Sequence, residues 1–296
     1  YFFGIFIISF YMKSFTLNEP VSIEGIGLHT GVKTNITLNP APLESGIIFN
    51  RIDKSTIIPA KWDNVISTKF STNIASNGVE VKTVEHLLSA LAGLHINNCE
   101  ILIDNVEVPI LDGSSNVFVE SILKKGIKEQ DSEQKILEIV KPVKFSCDYG
   151  YAELAPNSPK DEGLNINLES SFEGKYEDQD IKIKNLNGNY IESISKARTF
   201  GFFQEIEYLK SQNLIKGGSL DNAIVIKDKK PLNKDGLRYD NELMRHKVLD
   251  VVGDLYLSGY PIIGTYKGFK TGHFITNNLL KELFKSKENY KIHKIN

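Results

Sequence analysis

Two stretches of this chain are apolar around almost their whole helical circumference, yet each opens near a histidine and reaches a glycine at the same later position. The first is His86-Leu-Leu-Ser-Ala-Leu-Ala-Gly93 and the second is His246-Lys-Val-Leu-Asp-Val-Val-Gly253. Leu87, Leu88, Leu91 and Leu94, with small Ala90 and Ala92, fill the first. Val248, Leu249, Val251, Val252, Leu255 and Leu257 fill the second. A helix that is hydrophobic all round is buried. Each helix is followed by an apolar strand, at 99–103 and at 261–266. The repeated order points to a duplicated α+β unit. Spacing alone leaves equally open that two buried helices share Leu, Val and Gly by chance.

The rest of the chain fits around these helices. Residues 14–60 read as short strands: Val32, Thr34, Ile36 and Leu38 face one side, and Lys33, Asn35 and Thr37 the other, which is the two-residue period of a strand. Asp112-Gly113-Ser114-Ser115 reads as a turn opening a helix through Val119 to Lys124. Residues 125–135, rich in Lys, Glu, Gln and Asp, read as a solvated linker. A linker at 128–135 divides the chain into a first domain, 12–127, and a second, 136–296. In the second, strands are expected over about 136–190 and an insertion at about 201–230. That insertion carries an apolar helix-like run (Phe202, Phe203, Ile206, Tyr208, Leu209), a turn at Lys216-Gly217-Gly218-Ser219, and a strand at 223–226. Its apolar surface needs cover, either the core or a lipid-like ligand.

Composition narrows the class. With 296 residues, 41% hydrophobic and 24% charged, the chain is an ordinary globular protein with room for a sizeable core. A formal net charge of −2 gives no sign of a nucleic-acid binder. Cys99 and Cys147 show no metal-ligand spacing and suit a reducing compartment. The first eleven residues are nearly all apolar, but a membrane span needs about 20 such residues, and the basic start and cleavage site of a secretory signal are missing. The expectation is that residues 1–11 are translated upstream sequence and that Met12-Lys13-Ser14 is a cytosolic N-terminus.

The second helix carries the clearest chemical signal. His246, Asp250 and Asp254 fall four residues apart, so they share one helix face. A solvated stripe is the competing reading, but the surrounding valines and leucines argue for burial. Buried carboxylates are paired or bind a metal. In the first helix, Glu85-His86 sits at the start, where Thr83 is expected to cap and the dipole favours an ionised Glu85. Adjacent helical residues diverge by about 100°. One can therefore bind a metal while the other faces its water, as in zinc proteases. The competing reading is a capped helix whose His86 makes core hydrogen bonds. Together His86, His246 and Asp250 make the three-ligand nitrogen and oxygen set of a catalytic zinc site. His273 follows an apolar strand, where a turn can project it into a site. His29 lies in a glycine-rich loop, which is weak evidence of ligand approach. His95 and His293 read as surface residues.

At this point the residues resemble one family, the UDP-3-O-acyl-N-acetylglucosamine deacetylases, zinc enzymes of lipid A biosynthesis. The resemblance runs from about Glu19 to Lys281. It is carried by Gly-Ile-Gly-Leu-His-Thr-Gly (25–31), Thr-Val-Glu-His-Leu-Leu-Ser-Ala-Leu-Ala-Gly-Leu (83–94), Val-Pro-Ile-Leu-Asp-Gly-Ser (108–114), Ala-Arg-Thr-Phe-Gly-Phe (197–202), Lys-Gly-Gly-Ser (216–219), Arg-His-Lys-Val-Leu-Asp (245–250) and Gly-Asp-Leu (253–255). It implies an α+β fold of two similar domains, with helices packed between two sheets and the zinc site in the interdomain cleft. It implies His86, His246 and Asp250 as ligands of zinc, which iron(II) can replace. Glu85 is then the general base, His273 the catalytic histidine oriented by Asp254, and Thr199 a hydroxyl near the reacting carbonyl. Lys247, Lys270, Phe200 and Gly218 match substrate positions, and Ile206, Leu220 and Val225 match the lining of an acyl passage in the insertion. The implied partner is a small molecule, acylated UDP-N-acetylglucosamine, met in the cytoplasm without nucleic acid or a transmembrane helix. Residues 144–175 match weakly, so the uridine pocket is not placed residue by residue. Rival readings are a non-catalytic UDP-sugar or lipid binder and a zinc hydrolase of another amide.

Overall fold

The computed structural model describes residues 13–294. The expectations for residues 1–11 and for Met12 lie outside the described residues. Six α-helices are described: α1 (Glu85–Gly93), α2 (Asn116–Lys125), α3 (Leu186–Ser193), α4 (Phe203–Ser211), α5 (Glu242–Tyr256) and α6 (His273–Phe284).

The sheets decide between duplication and coincidence. In the first unit, strands lie side by side in the order Val21–Ile26, Lys33–Pro40, Cys99–Ile103, Ile47–Arg51, Thr56–Pro59. In the second, the order is Val143–Cys147, Gly150–Ala155, Ile262–Phe269, Leu164–Ser170, Gln179–Ile183. Each unit opens with an antiparallel pair and returns its last strand to the middle. That strand runs antiparallel to the second strand and parallel to the third. A parallel neighbour requires a crossover connection, and in each unit a buried helix, α1 or α5, completes it. A further helix, α2 or α6, follows the central strand. The fold is therefore α+β with two similar units. Lys135–Ile139 and Tyr290–Lys294 widen the second sheet to seven strands.

Helices α2, α1 and α5 bridge the two sheets. Helix α2 packs on Val21–Ile26 and on α1, α1 packs on α5, and α5 packs on Leu164–Ser170 and Gln179–Ile183. The two repeated glycines permit the closest approaches. A Cβ at Gly253 would run into the backbone carbonyl of Glu85, and one at Gly93 into the ring of Tyr190. Leu87, Leu88, Leu91, Val248 and Leu249 are fully buried in one continuous core, each contributing about 1.5–3 kcal/mol of transfer free energy.

Each unit carries an insertion between its outer strand and its buried helix. In the first, Val65–Ser67, Asn73–Ser76 and Val79–Val81 form a small sheet. In the second, Phe200–Phe202 and Ile224–Lys227 pair in parallel around α4, with Lys230–Pro231 beside them. Helix α4 has no fully buried residue, and Phe203 and Tyr208 are exposed. The core therefore does not take up the apolar surface of this helix.

Several expectations need correction. The charged stretch at 127–133 is not an irregular linker. Ile127–Glu133 is a strand antiparallel to Lys13–Leu17, and its Gln130 amide bonds Asn98 and the Ala41 carbonyl. Its charges mark a solvated face, which a strand can have. Helix α3 occupies the end of a stretch read as strands. His273 opens a helix instead of standing in a turn. Thr83 does not cap α1: it adopts φ +57, and its hydroxyl donates to Glu107. Val84 precedes that helix with no side-chain cap. His95 is buried, and His293 is half-buried against Glu138 at 2.9 Å.

Candidate active site

The first turn of α1 carries His86, and successive turns of α5 carry His246 and Asp250. One nitrogen or oxygen from each of the three lies within 4.8 Å of the others. Asp250 Oδ1 is 3.6 Å from His86 Nε2 and 3.4 Å from His246 Nε2. Both separations are too long for a good hydrogen bond. Asp250 Oδ1 is buried with no hydrogen-bond partner. His246 Nδ1 donates to the Ala197 carbonyl at 3.0 Å, which leaves Nε2 facing Asp250. Burial, with His246 beside it, holds the His86 imidazole well below its usual range, so His86 is neutral. Two imidazoles around an orphaned carboxylate oxygen fit a metal such as zinc.

One turn beyond Asp250, Asp254 Oδ2 accepts a hydrogen bond from His273 Nδ1 at 2.8 Å. On the other side of the ring, His273 Nε2 is 3.6 Å from Glu85 Oε1. Burial pushes the Glu85 carboxyl up to about 8, against the lowering effect of His273. Burial alone would lower His273. Asp254 and Glu85 outweigh it and raise the imidazole to about 10.

The stretch 197–200 is held rigidly against α5. Arg198 forms a bidentate ion pair with Glu242 at 2.8 and 3.0 Å, and both side chains are buried. This fixes Ala197, whose carbonyl meets His246, and Thr199 two residues on. The Phe200 ring lies edge-on to the His246 imidazole with centroids 6.2 Å apart.

Lys247 Nζ donates to the Thr271 carbonyl at 3.1 Å, and burial pulls its amine below the ordinary value. Lys270 pairs with Glu173 at 3.0 Å. These two lysines share a cavity of about 190 Å³ with Phe200, Phe202, Phe172 and Lys175. Phe172 packs edge-on against Phe200. A larger cavity, about 580 Å³, opens elsewhere between Trp62, Gln134 and Tyr260 and contains none of the expected site residues.

The insertion residues differ in exposure. Ile206 is half-buried on α4, Val225 half-buried in its strand, and Leu220 and Gly218 are exposed. Turn 216–219 leans on the glycine-rich loop: the Lys216 and Gly217 amides donate to the His29 and Leu28 carbonyls. Glu107, fully buried, holds that loop by accepting the amides of His29 and Thr30 and the hydroxyls of Thr30 and Thr83. His29 is buried, and burial pushes its imidazole down. Glu107, Phe172, Lys175 and Thr72 escaped the sequence reading. A buried Glu between the apolar runs was the one available signal, for Glu107.

A two-histidine, one-carboxylate set beside a glutamate and an aspartate-backed histidine defines a class, the metal-dependent hydrolases. The chain belongs to the UDP-3-O-acyl N-acetylglycosamine deacetylase family, whose sequence profile matches residues 14–285. It is similar to the UDP-3-O-acyl-N-acetylglucosamine deacetylase of Hahella chejuensis (strain KCTC 2396), at 43% identity over 286 residues, covering 95% of this chain and 93% of that protein. It is 44% identical over 280 residues to the enzyme of the same name from Saccharophagus degradans (strain 2-40 / ATCC 43961 / DSM 17024), covering 94% and 92%. Among the described residues no helix is long and apolar enough to cross a membrane.

Proposed function

We infer that this protein hydrolyses the N-acetyl group of UDP-3-O-acyl-N-acetylglucosamine, giving acetate and UDP-3-O-acyl-glucosamine, an early step of lipid A biosynthesis. Family membership supports the substrate. The observation that carries the chemistry is the buried, unpartnered Asp250 Oδ1 between two imidazole nitrogens, beside the Glu85–His273 pair. His86, His246 and Asp250 would hold a zinc ion, or iron(II) in its place, and that ion would supply Lewis-acid polarisation of a carbonyl and acidification of water.

The chain's own groups do the proton work. Glu85, as carboxylate, takes a proton from the attacking water as the new C–O bond forms. His273 begins protonated and gives its Nε2 proton to the amine as the C–N bond breaks. Asp254 holds Nδ1 and keeps the imidazolium charged. The Thr199 hydroxyl donates to the carbonyl oxygen as negative charge develops there. Lys247 and Lys270 offer cations to the two phosphates, and Phe172 and Phe200 offer ring faces to the uracil. Ile206, Leu220, Val225 and Gly218 take the acyl chain along the exposed insertion. A cytoplasmic location goes with this reading, since Cys99 and Cys147 are both free thiols.

The test is acetate release from acylated UDP-N-acetylglucosamine, with and without added zinc. Release that depends on zinc supports the reading. A protein that binds the sugar nucleotide without releasing acetate refutes it.

A further inference from the structure

Thr72 lies in the turn between Val65–Ser67 and Asn73–Ser76 and is almost wholly buried. All three of its polar groups are engaged. Its carbonyl accepts the amide of Val84, the residue before α1, at 3.2 Å. Its N–H donates to Glu85 Oε2 at 3.0 Å. Its hydroxyl donates to Asp254 Oδ1 at 2.6 Å. His273 takes the remaining oxygens: Nδ1 bonds Asp254 Oδ2 at 2.8 Å, and Nε2 lies 3.6 Å from Glu85 Oε1. Each carboxylate thus has one oxygen claimed by Thr72 and the other turned to His273.

The two oxygens of a carboxylate are chemically equivalent, and its terminal torsion is soft. Something must therefore choose which oxygen does the chemistry. We propose that Thr72 is a positioning residue that selects Glu85 Oε1 to accept the proton and Asp254 Oδ2 to hold His273. This rests on the roles given above to Glu85 and His273. When water gives up its proton, the new O–H bond forms on Oε1, beside the imidazole that gives a proton to the substrate's leaving amine. Oε2 stays occupied by the Thr72 amide. The hydroxyl is not needed to anchor the turn. Asn73 does that, since its Oδ1 accepts the Ser71 hydroxyl at 3.0 Å and the Thr83 amide at 3.2 Å.

Thr72→Val keeps the shape, the N–H and the carbonyl and removes the hydroxyl. Its kcat is expected to fall about 10- to 100-fold, the effect of losing a hydrogen bond to a charged group. KM and bound metal are expected to stay as in the wild type, and Thr72→Ser to regain most of kcat. A second arm needs no substrate. The His273 Nδ1–H resonance, assigned by its loss in His273→Ala, is followed by proton–nitrogen NMR. It is expected to shift or disappear in Thr72→Val and to persist in Thr72→Ser. A Val variant with wild-type kcat and an unshifted resonance overturns the proposal. So does a Ser variant as impaired as Val, or metal lost together with activity. A wild type that releases no acetate, with the resonance still shifted in Val, refutes the functional reading and, with it, the choice of Glu85 Oε1 as proton acceptor, and leaves standing only the hold of Thr72 on Asp254 and His273.

Discussion

In the proposed mechanism Glu85 and His273 begin in opposite protonation states, and their surroundings set where each titrates. Activity rises with pH as Glu85 loses its proton. Burial has pushed that carboxyl up to about 8, so the acid limb lies well above the ordinary carboxylate range. Activity falls as His273 loses its proton. Asp254 and Glu85 outweigh burial and raise it to about 10, so the alkaline limb lies above the usual imidazole range. A bound dication disfavours both protonated forms and moves the two limbs down together. The limits belong to the interacting set and not to single residues. Asp254→Asn should shift the alkaline limb of kcat/KM to lower pH, and His273→Ala should remove it. An alkaline limb unchanged in both variants would assign it to another group. The pairing of His246 with Asp250 was legible in the sequence, because residues four apart on a helix share a face, whereas the approach of His86 from the other helix needed the packing of the two helices. Thr72 was not legible. It meets Asp254 across 182 positions of sequence, and only the packing of an irregular turn brings them together.

The elements around the site divide into rigid and open ones. The rigid one is the 197–200 stretch, tied to α5 by the buried Arg198–Glu242 pair. Removing one partner leaves an uncompensated buried charge, so Glu242→Ala should cost about 3–5 kcal/mol of stability, read as a drop in the midpoint of chemical unfolding. A loss below about 1 kcal/mol, as for an exposed pair, would show that the pair is not a structural tie. The open element is the insertion, whose α4 leaves Phe203 and Tyr208 exposed. A charge at Leu220 or Val225 should raise KM most for long-chain substrates. Equal effects on long and short chains would place the acyl chain elsewhere. The insertion was legible from its apolar run. Helix α6 was not, because it starts at His273 after Gly272 with no capping side chain. The strand at 127–133 was hidden by its charges, which report exposure and not the lack of a ladder.

At the scale of the whole molecule, the shared strand order explains why two distant helices carry histidine and glycine at matching positions. We propose that the two units act as the two domains expected from the sequence, joined through 128–135. Duplication places two buried helices face to face. Close approach at Gly253 then brings the first turn of α1 against the middle of α5. The two units supply different atoms to one site: His86 and Glu85 from the first, and His246, Asp250, Asp254 and His273 from the second. Neither half holds the set alone. The most direct test is bound metal, measured together with acetate release, in the wild type and in His86→Ala, His246→Ala and Asp250→Ala. About one zinc per chain is expected in the wild type, with activity lost on chelation and restored by zinc, and reduced metal in every variant. Full metal in all three variants, or acetate release by the chelated protein, would contradict that expectation.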